Sequence, residues 1–151
     1  MAPFRFKRRV GFGECDPARI FFAPRAIEYA IEAAEAFSEE VLALPWSALA
    51  TEHGREARVL SVDCTYERSV TADQVIEIAV EPVQVGPESL TLSAVADVEP
   101  GQVSFRATVV LALAERGGAA PLPLPPELVA RLGTLGLPAP EPSLAEPPSR
   151  P

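Results

Sequence analysis

The chain has 151 residues, 48% of them apolar, enough for one domain that buries on the order of two thirds of the surface its unfolded form exposes. A formal net charge of -8 argues against a nucleic-acid partner, because binding to a phosphate backbone needs a basic face that releases counterions. Charged residues break every apolar run short of the roughly 18 residues of a membrane span, and two cysteines, Cys15 and Cys64, are too few for a disulfide framework, so a soluble cytoplasmic protein is expected.

Phe4, Phe6, Val10 and Phe12 alternate with Arg5, Lys7 and Arg9, the period of a strand with one buried face, here placed over Phe4 to Phe12. No apolar stretch of roughly seven or more residues follows the basic start, so it does not read as a secretory signal. A turn-like segment, Gly13 to Arg19, leads to Pro24, which suits the first position of a helix. Ile27, Ala30, Ile31, Ala34, Phe37 and Val41 recur there at helical spacing, with Glu28, Glu32, Glu35 and Glu39 on the opposite, solvated side. Ala26, Ala30, Ala33 and Ala34 make the apolar face small, which allows a close approach to a sheet.

A loop around Leu44, Pro45, Trp46 and Gly54 precedes four more expected strands, Ala57 to Arg68, Val75 to Val85, Ser89 to Val98 and Gln102 to Ala114. In the third, Leu90, Leu92, Ala94, Ala96 and Val98 alternate with Ser89, Thr91, Ser93 and Asp97. Gly86-Pro87 and Pro100-Gly101 supply turn chemistry, so consecutive antiparallel pairing is expected. One strand, one long helix and four strands in a meander describe an α+β fold, a curved antiparallel five-stranded sheet wrapped around a central helix, over residues 1–116. Residues 117–137 form an extension with a short helix from Pro126 to Leu132, stopped at Gly133. The proline-rich segment 138–151 has too few large apolar residues to pack and is expected to be a disordered tail.

Elimination narrows the chemistry. The single histidine, His53, lies in a loop, and no Gly-x-Ser-x-Gly nucleophile elbow accompanies it. There is no Walker-type loop, no dinucleotide fingerprint and no His/Cys cluster for zinc, so no cofactor or metal is expected. Cys15 has no nearby histidine to form a thiolate and reads as a small packed residue.

The densest polar constellation is Gly11 to Ile20. On composition it is a surface turn, yet it is followed by Ile20, Phe21 and Phe22, which must enter the core and partly desolvate Asp16. The helix opening at Pro24 brings free backbone N–H groups and a positive dipole end nearby, suited to a developing oxyanion.

Gly13-Glu14-Cys15-Asp16-Pro17-Ala18-Arg19-Ile20-Phe21-Phe22-Ala23-Pro24 resembles the signature of the 4-hydroxybenzoyl-CoA thioesterase family of hotdog-fold enzymes, in which Gly-Asp-Cys-Asp-Pro-Ala precedes a few apolar residues and a proline. The likeness extends more weakly to about Leu113. It implies hydrolysis of an aromatic or medium-chain acyl-CoA to free acid and CoA, with Asp16 as nucleophile or general base and the Ala23 N–H as oxyanion donor. It also implies a substrate-binding role for Phe22 and Pro24, and a homodimer with joined sheets, often paired again as a homotetramer. An aromatic residue usually stands where this chain has Ala23. Gly86-Pro87-Glu88 replaces the basic turn that holds the nucleotide end of CoA in one branch of the family, and Arg19 replaces a small residue, a candidate phosphate or substrate contact. A non-catalytic acyl-CoA-binding protein is the alternative. A hotdog dehydratase ranks last, because His53 is far along the chain from the helix that would present its partner.

Overall fold

The computed structural model describes residues 2–21 and 23–140. Strand β1 (Phe4–Arg9) and helix α1 (Pro24–Glu40) are followed by the short helix α2 (Trp46–Glu52). Strands β2 (Arg55–Tyr66), β3 (Val75–Val85), β4 (Leu90–Glu99) and β5 (Gln102–Glu115) come next, then the two-residue strand β6 (Pro121–Leu122) and helix α3 (Pro126–Thr134). The long strands form one antiparallel sheet in the order β1-β3-β4-β5-β2, with α1 lying against all five. This is the α+β hotdog fold. Strand β6 pairs with β5 through Leu113 and Ala114, continuing the row that β4 leaves once Leu90 has paired with Leu111.

Pairing departs from a simple meander. β3, β4 and β5 are consecutive neighbours, but β2 pairs with β5 and β1 pairs with β3. With β1 on one edge of β3 and β4 on the other, β2 cannot pair with β3 and takes the outer edge of β5 instead. The segment from Glu67 to Gln74 is correspondingly too long for a tight hairpin and instead packs against the loop before α1. Pro82, which has no N–H to give a ladder, sits where the register of β3 shifts against β4.

One row of side chains crosses the sheet through Phe6, Ile78, Ala96, Phe105 and Tyr66, as paired by the register. Ile78, Ala96 and Phe105 are fully buried beneath α1, which presents Ala26, Tyr29, Ala30, Ala33, Ala34 and Phe37 to them. Full burial of a side chain such as Phe105 is worth roughly 1.5–3 kcal/mol. Ile27 and Ile31, placed on the apolar face by spacing alone, are only half-buried, while Tyr29 turns inward.

β2 covers Arg55–Tyr66 where the sequence predicts Ala57 to Arg68, and three further boundaries moved for local reasons. β1 ends at Arg9 because the Glu14 carboxylate accepts the Gly11 N–H at 3.0 Å and folds Phe12–Glu14 into a 3-10 turn, leaving Phe12 74% exposed rather than inward. The segment after Pro45, read as loop, forms α2, whose seven residues are too few to show a period. Helix α3 runs through Gly133 to Thr134, and Gly136, at φ 90°, follows its end in the left-handed region that glycine adopts without penalty. Leu124, Leu128 and Leu132 are buried in the same core as the sheet. Residues 141–151 of the proline-rich tail lie outside the described residues.

Candidate functional site

The loop from Val10 to Ala23 is pinned at both ends to the segment before β3. Val10 N donates to Gln74 O at 2.8 Å, and Phe21 N donates to Val70 O at 2.6 Å. Between these points the chain reverses at Asp16-Pro17-Ala18-Arg19. Asp16 N donates to Ile20 O and Arg19 N to Asp16 O, both at 2.8 Å. The Asp16 side chain caps this turn from within, its Oδ1 accepting the Ala18 N–H at 2.9 Å and the Ile20 N–H at 3.2 Å. This is the local bonding for which Asp is favoured in turns. Oδ2 has no partner among the described residues, and the residue is half-buried.

Arg19 occupies the left-handed region at φ 62° and is exposed at the turn. Phe22 lies outside the described residues. Ala23 and Pro24 are exposed at the N-terminus of α1, with Pro24 at the first helical position. The Ala23 carbonyl accepts the Tyr66 hydroxyl at 2.7 Å and the Ala26 N–H at 3.1 Å, while its own N–H has no partner among the described residues. The seventeen-residue α1 directs the positive end of its dipole there.

Ala23 opens onto a cleft of about 220 Å³, lined chiefly by Phe21, Tyr66, Arg68, Val70 and Ser104. Asp16 shares the loop with Ala23 but does not line this cleft. Tyr66, Arg68 and Ser104 escaped sequence reasoning, because they come from the far end of β2, the link to β3 and strand β5. Only the register brings them to α1. Ser104 is buried and its hydroxyl donates to Arg68 O at 2.9 Å, fixing the link that carries Arg68. Burial pushes the Tyr66 hydroxyl above its ordinary value, and the nearby Cys64 thiol adds to this, so Tyr66 stays a neutral donor to Ala23 O. Burial also pushes the Cys64 thiol up, which works against a thiolate there.

Behind the turn lies an ionic network that the sequence signalled only obliquely. Arg8 stands in the inward register of β1, with Phe4 and Phe6, and a cation there requires a carboxylate. It finds two: Arg8 Nη2 lies 3.1 Å from Glu14 Oε2, and Arg8 Nε lies 2.9 Å from Glu32 Oε2. Glu32 is therefore not simply a solvated glutamate of the outer helix face. The Tyr29 hydroxyl donates to Glu14 Oε1 at 2.6 Å, and the Arg8 guanidinium stacks 4.4 Å over the Tyr29 ring. Phe21 packs on the same ring at 5.0 Å. The loop bearing Asp16 is thus tied to α1 and β1 together.

Burial alone would raise the Glu14 carboxyl, but the Tyr29 hydroxyl, the Gly11 N–H and the Arg8 charge outweigh it and hold the group below its ordinary value. A carboxyl depressed in the folded state stabilises the fold above its unfolded pKa, and that contribution disappears as pH falls through the folded value. Glu14→Gln is therefore expected to destabilise the protein by about 1–2 kcal/mol at neutral pH, through loss of charged hydrogen bonds. The difference in thermal midpoint from the native protein should shrink as pH drops below about 4. A difference independent of pH would show that Glu14 acts by packing rather than by charge.

Among the described residues no group of three or more His, Cys, Asp or Glu side chains is placed to hold a metal, and no helix is long and apolar enough to cross a membrane. No family model matches the chain, and no curated protein matches it by sequence. Solved structures do share its fold. A thioesterase superfamily protein from Jannaschia sp. CCS1 is 22% identical, with a TM-score of 0.78 over 87% of this chain and 92% of its own. A mutant 4-hydroxybenzoyl-CoA thioesterase, complexed with 4-hydroxybenzoyl-CoA, is 19% identical, with a TM-score of 0.78 over 87% of this chain and 99% of its own. A 1,4-dihydroxy-2-naphthoyl-CoA thioesterase from Synechocystis is 15% identical, with a TM-score of 0.75 over 89% of this chain and 98% of its own.

Proposed function

We propose that this hotdog-fold chain is an acyl-CoA thioesterase that hydrolyses an aromatic or medium-chain acyl-CoA, with Asp16 as nucleophile or general base. The observation that carries the reading is one loop holding a half-buried carboxylate and, seven residues on, an amide at the N-terminus of a long helix, with one carboxylate oxygen and that amide free of partners among the described residues. Those are the two parts of a hydrolytic site: a group that attacks or activates water, and a fixed donor for the oxyanion. Ala23 N–H stabilises the tetrahedral intermediate, and the departing thiolate needs little acid assistance. Arg19 contacts substrate or phosphate, and Phe22 and Pro24 border the acyl group. The named thioesterases among the fold neighbours act on aromatic acyl groups, which lends weight to that half of the substrate range.

The working unit in this reading is a homodimer or homotetramer in the cytoplasm. β2 supports it: a twelve-residue edge strand whose outer side is unpaired among the described residues, with Val59 and Leu60 exposed. Such an edge invites pairing with another strand. Assembly is also the natural way for a second chain to complete a site whose carboxylate does not line the cleft beside Ala23.

A panel of aromatic and medium-chain acyl-CoA substrates, read by release of free thiol, tests the assignment. Turnover of at least one member supports it. Tight acyl-CoA binding with no thiol release favours the second reading, a non-catalytic acyl-CoA-binding protein, which the engagement of Asp16 Oδ1 as a turn cap would suit.

A further inference from the structure

The cleft beside Ala23 does not end at Arg68. Glu67 and Arg68 also line a neighbouring cleft of about 470 Å³, completed by Gly101, Val103 and Arg106. The two clefts share Glu67 and Arg68 in their walls, so the cleft beside Ala23 adjoins one walled by a pair of exposed arginines. Among the described residues Glu67 is the one carboxylate lining either cleft, and it is neutralised by Arg106, whose Nε lies 3.0 Å from Glu67 Oε2. The terminal nitrogens of Arg106 have no partner among the described residues. Arg68 has no carboxylate partner among them, as is also true of Arg19, Arg55, Arg116 and Arg131, and it lines the same cleft as Arg106.

In a chain of net charge -8, an unpaired arginine and a half-engaged one facing the same cleft mark a place for an anion. Both side chains are exposed, which suits a phosphate that keeps much of its hydration; a charged acyl substituent would instead be carried into the cleft beside Ala23. We infer that Arg68 and Arg106 bind the phosphate of a pantetheine carrier, whose thioester end lies at Ala23. The inference rests on the thioesterase reading for its substrate and supplies the carrier site that the turn Gly86-Pro87-Glu88, without a basic residue, does not offer. The same phosphopantetheine chemistry occurs in CoA and on acyl carrier proteins. In both, the arginines act through charge-assisted bonds to the phosphate oxygens.

The test uses the full chain and its Arg68→Ala, Arg106→Ala and doubly substituted variants. Kinetics are compared on one acyl group carried either by CoA or by N-acetylcysteamine, a neutral thiol without phosphate. Arg68→Ala is expected to raise KM for the CoA thioester about tenfold, in a manner that weakens with added salt, and at least five times more than for the neutral thioester. Equal losses on the two thioesters would overturn the assignment. Titration calorimetry with CoA alone decides the point even if the chain hydrolyses no thioester, which would count against the thioesterase reading and not against the arginines. Weaker CoA binding in the double variant supports the site. Weakening seen only with a phosphopantetheine-bearing carrier protein supports it with that protein as the source. Unchanged affinity for both overturns it.

Discussion

Asp16→Asn is expected to keep the fold and lower kcat about a hundredfold or more on any thioester the native protein hydrolyses. The fold should persist for a local reason. An asparagine Oδ1 can still accept the Ala18 and Ile20 N–H groups that the aspartate accepts, so the Asp16-Pro17 turn closes as before. What the amide cannot do is attack a carbonyl or take a proton from water. Substrate binding should survive, since the cleft is lined by other residues. Single turnover in oxygen-18 water then separates the two roles. As a nucleophile, the carboxylate bonds to the acyl carbon and expels the thiolate. Water then cleaves the anhydride, restoring the carboxylate and releasing the acid, and attack at the enzyme carbonyl leaves label in the protein. A general base leaves none. Near-native turnover by Asp16→Asn would remove this residue from the mechanism.

Ala23→Pro is the second substitution with a large expected effect. Proline lacks the backbone N–H, and Ala23, at φ -48°, already sits close to the angle that proline imposes. Because that N–H has no partner among the described residues, the substitution removes an oxyanion donor without breaking a native hydrogen bond. Loss of one such donor typically costs 10²–10³ in kcat. The expected result is a fall of about that size with KM little changed, read on protein whose fold is checked by circular dichroism because a proline here also restricts the backbone of the residue before it. Ala23→Gly, which keeps the N–H, should retain most of the activity. A well-folded Ala23→Pro protein with normal kcat would show that the oxyanion is held elsewhere.

The elements of this fold are legible because periodicity is strong where one face is buried. β3 has the expected bounds, β4 alternates as Leu90, Leu92, Ala94 and Ala96 require, and α1 begins at Pro24. Strand order is not legible in the same way, since alternation says which face is inward but not which neighbour each edge takes. The position of β2 beside β5, rather than beside the outer edge of β1, is not written in its own alternation. Within the candidate site, the turn and the helix start are contiguous in sequence and carry their own signature. The cleft does not: Tyr66 reaches the Ala23 carbonyl from 43 residues away, and nothing local to Tyr66 or Arg68 announces the meeting. Arg8 carries a local signal, a charge standing in the apolar register of β1, but which carboxylates meet it, Glu14 and Glu32, is decided by the fold.

The alanines on the inner face of α1 carry a consequence for how this protein can change. Ala26, Ala30, Ala33 and Ala34 have no exposed surface, and the helix rests on the sheet at the distance their methyl groups allow. A larger residue at any of them would lift the helix and shift the end that carries Ala23, while a smaller one would leave a void. The helix is consequently a fixed wall, and variation in substrate preference has to come from the opposite side of the cleft. There the link from Glu67 to Thr71 lies at the surface for most of its length, free to accept new side chains without disturbing the core. Divergence in this lineage should therefore concentrate in that short link and spare the alanine face, and libraries built to redirect its specificity should begin there.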